Sequence, residues 1–244
     1  MRSKASGGQA PGTCSENQAS RFGWSIASSA MAANPMRGDR ERSGLLVDFG
    51  GVLTTSVWGS FADFCREKGL AEDAVLRMFR EDPAALADLR QLETGRIEEE
   101  EFERRFAERL GLEDAADLID SMFRGMKPCE PMVAAVRAAR ASGVHTGLVS
   151  NSWSTSHYDR AMLAELFDAA VISAEVGLHK PQPEIYLLAS QRLGVEPEGC
   201  VFVDDLRENC AGAEGVGMTA ILHRHVAATV GQLEQLLGFT VPAG

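Results

Sequence analysis

The chain has few of the features that would place it outside ordinary globular chemistry. No apolar run approaches the roughly 18 residues that a membrane span needs, and the N-terminus has no apolar signal core. Five cysteines (Cys14, Cys65, Cys129, Cys200 and Cys210) are an odd number without a CxxC pair. They read as reduced thiols of a cytoplasmic protein, not as a disulfide framework or zinc site. Positive charge is scarce: 24 Lys and Arg stand against 35 Asp and Glu, a net charge of -11. Non-specific nucleic-acid binding, which needs clustered Lys and Arg, is thereby disfavoured. An anionic small molecule is not excluded, because a bound cation can reverse the local potential.

The 244 residues are 45% hydrophobic, enough for one α/β domain with an inserted subdomain. Residues 1–43 are rich in Ser, Ala, Gly and Asn, lack periodicity and read as a disordered extension. Met31 and Met36 fall inside it, which leaves open whether the segment belongs to the native protein. From Gly44 onward, apolar runs at Leu45–Phe49, Val144–Val149, Ala169–Ser173, Cys200–Asp204 and Thr219–His223 read as buried strands. Helical spacing falls between the later ones, over Met132–Ala141, Tyr158–Leu166, Pro183–Leu193, Arg207–Glu214 and Ala227–Leu237. Such alternation specifies a doubly wound parallel sheet.

The first strand departs from this rhythm. About 80 residues follow Leu53 without a strand signal; Trp58, Phe61, Phe64 and Cys65 recur at helical spacing, as do Phe102, Phe106 and Leu110, then Leu118, Met122 and Phe123. The expected organisation is a core of residues 44–56 and 127–244 with an all-α cap over 57–126. Trp58, Phe61 and Phe64 are expected in the cap's own core, and Glu98–Glu101 on a solvated helix face.

Two strands end in carboxylate: Leu45-Leu46-Val47-Asp48 before Gly50 and Gly51, and Val201-Phe202-Val203-Asp204-Asp205. The carboxyl edge of an open α/β sheet is where ligands bind. Carboxylates packed there repel unless a cation or shared proton intervenes, and a hard divalent ion such as Mg²⁺ takes oxygen ligands. Ser150-Asn151 ends another strand with a hydroxyl and backbone N–H groups suited to a phosphoryl oxygen. Lys180, between His179 and Pro181, offers a point charge.

In this order, Asp48-Phe49-Gly50-Gly51-Val52-Leu53, Val149-Ser150-Asn151-Ser152, Gly177 to Tyr186, and Val201 to Asp205 with Asn209 resemble the four motifs of the haloacid dehalogenase-like hydrolases. The resemblance spans residues 44 to about 225 and is nearest the epoxide-hydrolase N-terminal-domain-like phosphatases. It implies a Rossmann-like core and a Mg²⁺-dependent phosphatase acting on a small phosphorylated molecule through an aspartyl-phosphate. Asp48 would be the nucleophile and Lys180 its charge partner. Ser150, Asn151 and Gly51 would serve the phosphate site. Asp48, the Gly50 carbonyl and Asp205 would hold the metal, with Asp204 a second or water-mediated ligand.

One position departs from the family pattern. Most family phosphatases carry an acid/base Asp two residues after the nucleophile, where this chain has Gly50. A general acid typically contributes roughly 10²–10⁴-fold, so its absence favours substrates with good leaving groups. It also keeps two alternatives open: a 2-haloacid dehalogenase-type hydrolase, which lacks that Asp, and a non-catalytic member that binds a phosphorylated ligand or a protein. Oligomeric state is not legible.

Overall fold

The computed structural model describes residues 42–156 and 158–242; Cys14 and nearly all of the N-terminal extension fall outside them. In chain order the elements are β1 (Gly44–Val47), α1 (Val57–Glu67), α2 (Ala74–Glu81), α3 (Pro83–Glu93), α4 (Glu99–Leu110), α5 (Leu118–Phe123), α6 (Glu130–Ala141) and β2 (His145–Ser150). Then come α7 (Arg160–Leu166), β3 (Ala169–Ile172), α8 (Ser173–Val176), α9 (Pro183–Leu193), β4 (Cys200–Asp204), α10 (Arg207–Gly215), β5 (Thr219–Leu222) and α11 (Val226–Leu237). Strand boundaries agree with the apolar runs to within one or two residues. The separate helices α2 and α3 were not resolved by aromatic spacing, because their apolar positions are mostly Ala and Leu among charges.

All five strands are parallel, in the order β3-β2-β1-β4-β5. Both faces are covered, which is why the strands read as continuous apolar runs. Leu45, Val47, Val201 and Val203 face α6, α7 and α11, while Leu46 and Phe202 face α9 and α10. The alternation follows the period of two along a strand. With β1 central and its neighbours β2 and β4 in register, Asp48, Ser150 and Asp204 emerge together at one edge of the sheet.

The five helices between β1 and α6 build a separate hydrophobic cluster around Phe61, Phe64, Phe102, Phe106 and Met122. The chain enters and leaves this insertion side by side: Thr54 bridges Pro128, and the Thr55 N–H donates to the Lys127 carbonyl at 2.8 Å. Glu99, Glu100 and Glu101 occupy the first turn of α4, where the helix dipole favours negative charge. Trp58 differs from expectation. It is 40% exposed instead of packed in the cluster core, because α1 turns Phe61, Phe64 and Cys65 into the cluster while Trp58, in its first turn, lines a cavity against the sheet edge. Among the described residues, no helix is long and apolar enough to cross a membrane, and Cys65, Cys129, Cys200 and Cys210 are free thiols.

Candidate active site

The sheet edge brings the expected residues into one place. Lys180 is buried, and its Nζ donates to Asp48 Oδ1 and to Asp204 Oδ2, each at 2.7 Å. Asp48, Asp204 and Asp205 each present a carboxylate oxygen, all within 4.8 Å of one another. Asp204 is fully buried. Its oxygens also accept from the Leu206 N–H at 2.8 Å and from Asn209 Nδ2 at 3.0 and 3.1 Å. Asn209, which the fourth motif includes, therefore orients the buried aspartate.

Asn151 joins two segments that lie far apart in the chain. The Lys180 N–H donates to Asn151 Oδ1 at 2.8 Å, and Asn151 Nδ2 donates to the Lys180 carbonyl at 3.1 Å. Ser150, also buried, accepts from the Tyr158 hydroxyl at 2.8 Å. Tyr158 packs its ring on Phe49 with centroids 4.9 Å apart. Its contribution was invisible in sequence, where a Tyr at a helix start carries no site signal.

The two glycines after Asp48 have different physical grounds. Gly51 adopts φ +74, and a Cβ on it would lie 2.6 Å from Asp205 Oδ2. Only glycine lets the loop approach Asp205 so closely. At Gly50 a Cβ would lie 2.8 Å from Val57 Cγ2 at the start of α1. The space in which an aspartate would begin is thus filled by a stiff β-branched side chain.

The site forms the floor of a cavity of about 700 Å³ whose opposite wall is the helical insertion, through Trp58, Leu86, Leu89, Glu93 and Phe123. Trp153, three residues past Ser150, reaches from the core into the insertion's aromatic cluster. Its ring centroid lies 5.3 Å from Phe61, 5.6 Å from both Phe79 and Phe102, and 5.4 Å from Phe123.

The electrostatics are those of a crowded acidic pocket. Burial pushes Asp48 up to about 7; the Lys180 charge opposes this, and Asp204 and Asp205 reinforce it. Burial and the Asp204 charge raise Asp205 to about 6. Burial lifts Glu93 to about 7 against the pull of Lys180 and Arg90. Burial disfavours the Lys180 ammonium, but Asp204 and Asp48 outweigh it, so Lys180 is held protonated well above its ordinary range.

A stability profile follows from these directions. Raised carboxyls favour the folded state while protonated, so that contribution is present below about pH 4 and is lost as pH rises toward 7. The Lys180 contribution has the same sign but a more alkaline window, so it is fully present across this range and is lost only at strongly alkaline pH. Metal-free protein in EDTA is therefore expected to lose on the order of a few kcal/mol between about pH 5 and pH 8. Urea unfolding at a series of pH values checks this; stability that is flat or rising across the window would contradict it.

The donor set suits a hard cation. Three carboxylates meet beside a glycine cradle, and the raised proton affinities of Asp48 and Asp205 indicate that Lys180 alone does not balance the cluster.

Comparison with known proteins agrees with this fold. A solved enzyme variant of the haloacid dehalogenase family from Bacteroides thetaiotaomicron, in complex with magnesium and inorganic phosphate, superposes with a TM-score of 0.59. The identity is 21%, over 75% of this chain and 94% of that one. The likeness is one of fold. The rat bifunctional epoxide hydrolase 2 is 34% identical over 119 residues, 46% of this chain and 22% of that protein. The glyceraldehyde 3-phosphate phosphatase of Methanopyrus kandleri is 31% identical over 106 residues, 42% of this chain and 46% of that protein. The matched segments thus span from about a fifth to about half of the relatives' lengths. The sequence model of the haloacid dehalogenase-like hydrolases matches residues 43–217, and the chain belongs to that family of hydrolases.

Proposed function

We propose that the protein is a Mg²⁺-dependent phosphatase that hydrolyses a small organic phosphate through an aspartyl-phosphate on Asp48. The observation that carries this reading is the three-carboxylate cluster of Asp48, Asp204 and Asp205 beside the buried Lys180. A site that only releases halide has no use for such a cluster, and a binding module has no use for a nucleophile held on a lysine. The named phosphatase among the relatives supports the same reading.

Asp48, Asp205 and the Gly50 carbonyl would hold the metal. Asp204 would act mainly at one remove, since Lys180, Asn209 and the Leu206 N–H already occupy its oxygens. Magnesium bound there would supply positive charge to the phosphoryl oxygens and carboxylates. Lys180 orients the Asp48 carboxylate and offsets its charge. Ser150, held by Tyr158, and the Gly51 loop receive the phosphoryl group, and Asn151 keeps the Ser150 and Lys180 segments in register. Asp48 then attacks phosphorus, and water hydrolyses the acyl phosphate in a second displacement.

Residues 57–126 act as a cap that sets specificity and excludes water. The wall it presents is largely apolar, which suits a substrate whose organic part is not fully polar. The acidic surface and the enclosed floor point to a small molecule, with neither nucleic acid nor a membrane as partner.

Phosphate release from p-nitrophenyl phosphate tests the proposal. With Mg²⁺ the wild-type protein is expected to turn over; EDTA should reduce the rate by about 10²-fold or more, and added Mg²⁺ should restore it. Folded protein that releases no phosphate with Mg²⁺ would overturn it. Release of halide from a 2-haloacid without metal would install the dehalogenase reading in its place.

A further inference from the structure

The phosphatase reading leaves one chemical task unassigned. Gly50 stands where family phosphatases carry the acid that protonates the leaving group, and Val57 fills the space beside it. A replacement acid must line the cavity that holds Asp48. Thr54 lines it, but a hydroxyl is a poor acid, and its Oγ1 is engaged by the Gly51 N–H at 3.1 Å. His179 is not among the lining residues, and its Nδ1 lies 2.8 Å from the Lys180 carbonyl. Asp120, Arg124 and Lys127 belong to the wall around α5 and its exit.

Glu93 is different. It is the last residue of α3 and lines the same cavity as Asp48, Ser150, Lys180 and Asp205. Its position is fixed from both sides. Next to it, the Thr94 hydroxyl donates to the Arg90 carbonyl at 2.7 Å and closes the helix end. Gly95 follows at φ +63, so near the core that a Cβ would lie 2.7 Å from the Ala174 carbonyl oxygen on α8. The end of α3 is thus seated directly against the core. The carboxyl lies beside Trp153, and the charges of Lys180 and Asp48 both reach it.

We propose that Glu93 is the general acid and base of this enzyme, supplied by the helical insertion in place of the missing aspartate. The inference rests on the phosphatase reading above. In the first displacement an Asp48 oxygen bonds to phosphorus and the phosphorus–oxygen ester bond breaks. The departing oxygen takes the proton of the Glu93 carboxyl and leaves as the alcohol. In the second, the Glu93 carboxylate takes a proton from water as the water oxygen bonds to phosphorus. The Asp48–phosphorus bond breaks, which returns inorganic phosphate, the Asp48 carboxylate and protonated Glu93. Burial, which raises Glu93 to about 7 despite Lys180 and Arg90, keeps a proton available near neutral pH. With such an acid in place, alkyl phosphates come within reach, and the restriction to good leaving groups is lifted.

The test compares p-nitrophenyl phosphate, whose leaving group departs without a proton, with benzyl phosphate, an alkyl ester of similar size, both with Mg²⁺. Wild type is expected to hydrolyse both. Glu93→Gln should lose roughly 10²–10⁴-fold in kcat/KM on benzyl phosphate and less than about 10-fold on the aryl ester. Equal losses on both esters, or none on benzyl phosphate, would overturn the role of Glu93 and leave the phosphatase reading standing. No phosphate release by wild type from either ester would overturn both. If Glu93→Gln does not fold, the wild-type rates across phosphates of graded leaving-group acidity decide the matter: a shallow dependence supports an internal acid and a steep one refutes it.

Discussion

Asp48→Asn is expected to abolish Mg²⁺-dependent phosphate release, by roughly 10⁴-fold or more, while leaving the fold intact. An amide cannot form the acyl phosphate, and no neighbouring group takes over: Asp204 is fully buried and bonded to Lys180, Asn209 and the Leu206 N–H. Stability should move the other way. Asp48 is pushed up to about 7 chiefly by burial, so at pH 8 its ionised form costs folding free energy when no metal is bound. Removing that charge should leave the metal-free variant melting at or above wild type. It should also weaken the stabilisation that added Mg²⁺ confers on wild type. Thermal melts with and without Mg²⁺, beside the phosphate assay, read all three effects. Retained turnover in a folded Asp48→Asn protein would remove the nucleophile from the mechanism.

Lys180→Met is expected to lose turnover and stability together. The ammonium sits 2.7 Å from two carboxylates and is almost fully buried. Breaking a buried ion pair from one side leaves uncompensated charge and typically costs about 3–5 kcal/mol. Here two carboxylates would be stranded, with Asp205 close by. The loss should be largest at pH 8 and smaller at pH 5, where the raised carboxyls take up protons and relieve the repulsion. Urea unfolding at the two pH values measures the difference. A pH-independent loss would mean that packing of the lysine stem, not its charge, sustains the site.

The contrast between the two variants explains what was readable from sequence. Asp48, Ser150, Asp204 and Asp205 were legible because each stands at the end of a buried apolar run, where a polar residue must have a reason to be. Lys180 was legible through its motif, since a lysine before proline is otherwise a surface residue. The parallel sheet followed from apolar runs too continuous for a half-solvated strand. The helical insertion followed from recurring aromatics, but Trp58 shares that spacing and is exposed, because periodicity alone does not say where a helix's buried stripe begins. Glu93 could not be distinguished in a chain with 35 acidic residues; only the docking of Gly95 on Ala174 gives it a place. Asn209 was legible through the fourth motif, whereas Tyr158 and Trp153 act through contacts that no local pattern encodes.

Trp153 has a mechanical consequence. Its backbone belongs to the loop that follows Ser150 at the end of β2, yet its ring is lodged among Phe61, Phe79, Phe102 and Phe123 of the insertion. The Phe61 pair is tilted and the other three are edge-on, and aromatic pairs of this kind are each worth about 0.5–1.5 kcal/mol beyond the area they bury. A hinge that swung the whole insertion away from the sheet would have to extract that ring, or drag the Ser150 loop along with it. Traffic to the cavity is therefore better carried by small excursions at its rim, where Trp58 is already exposed, than by a lid that lifts free of its base.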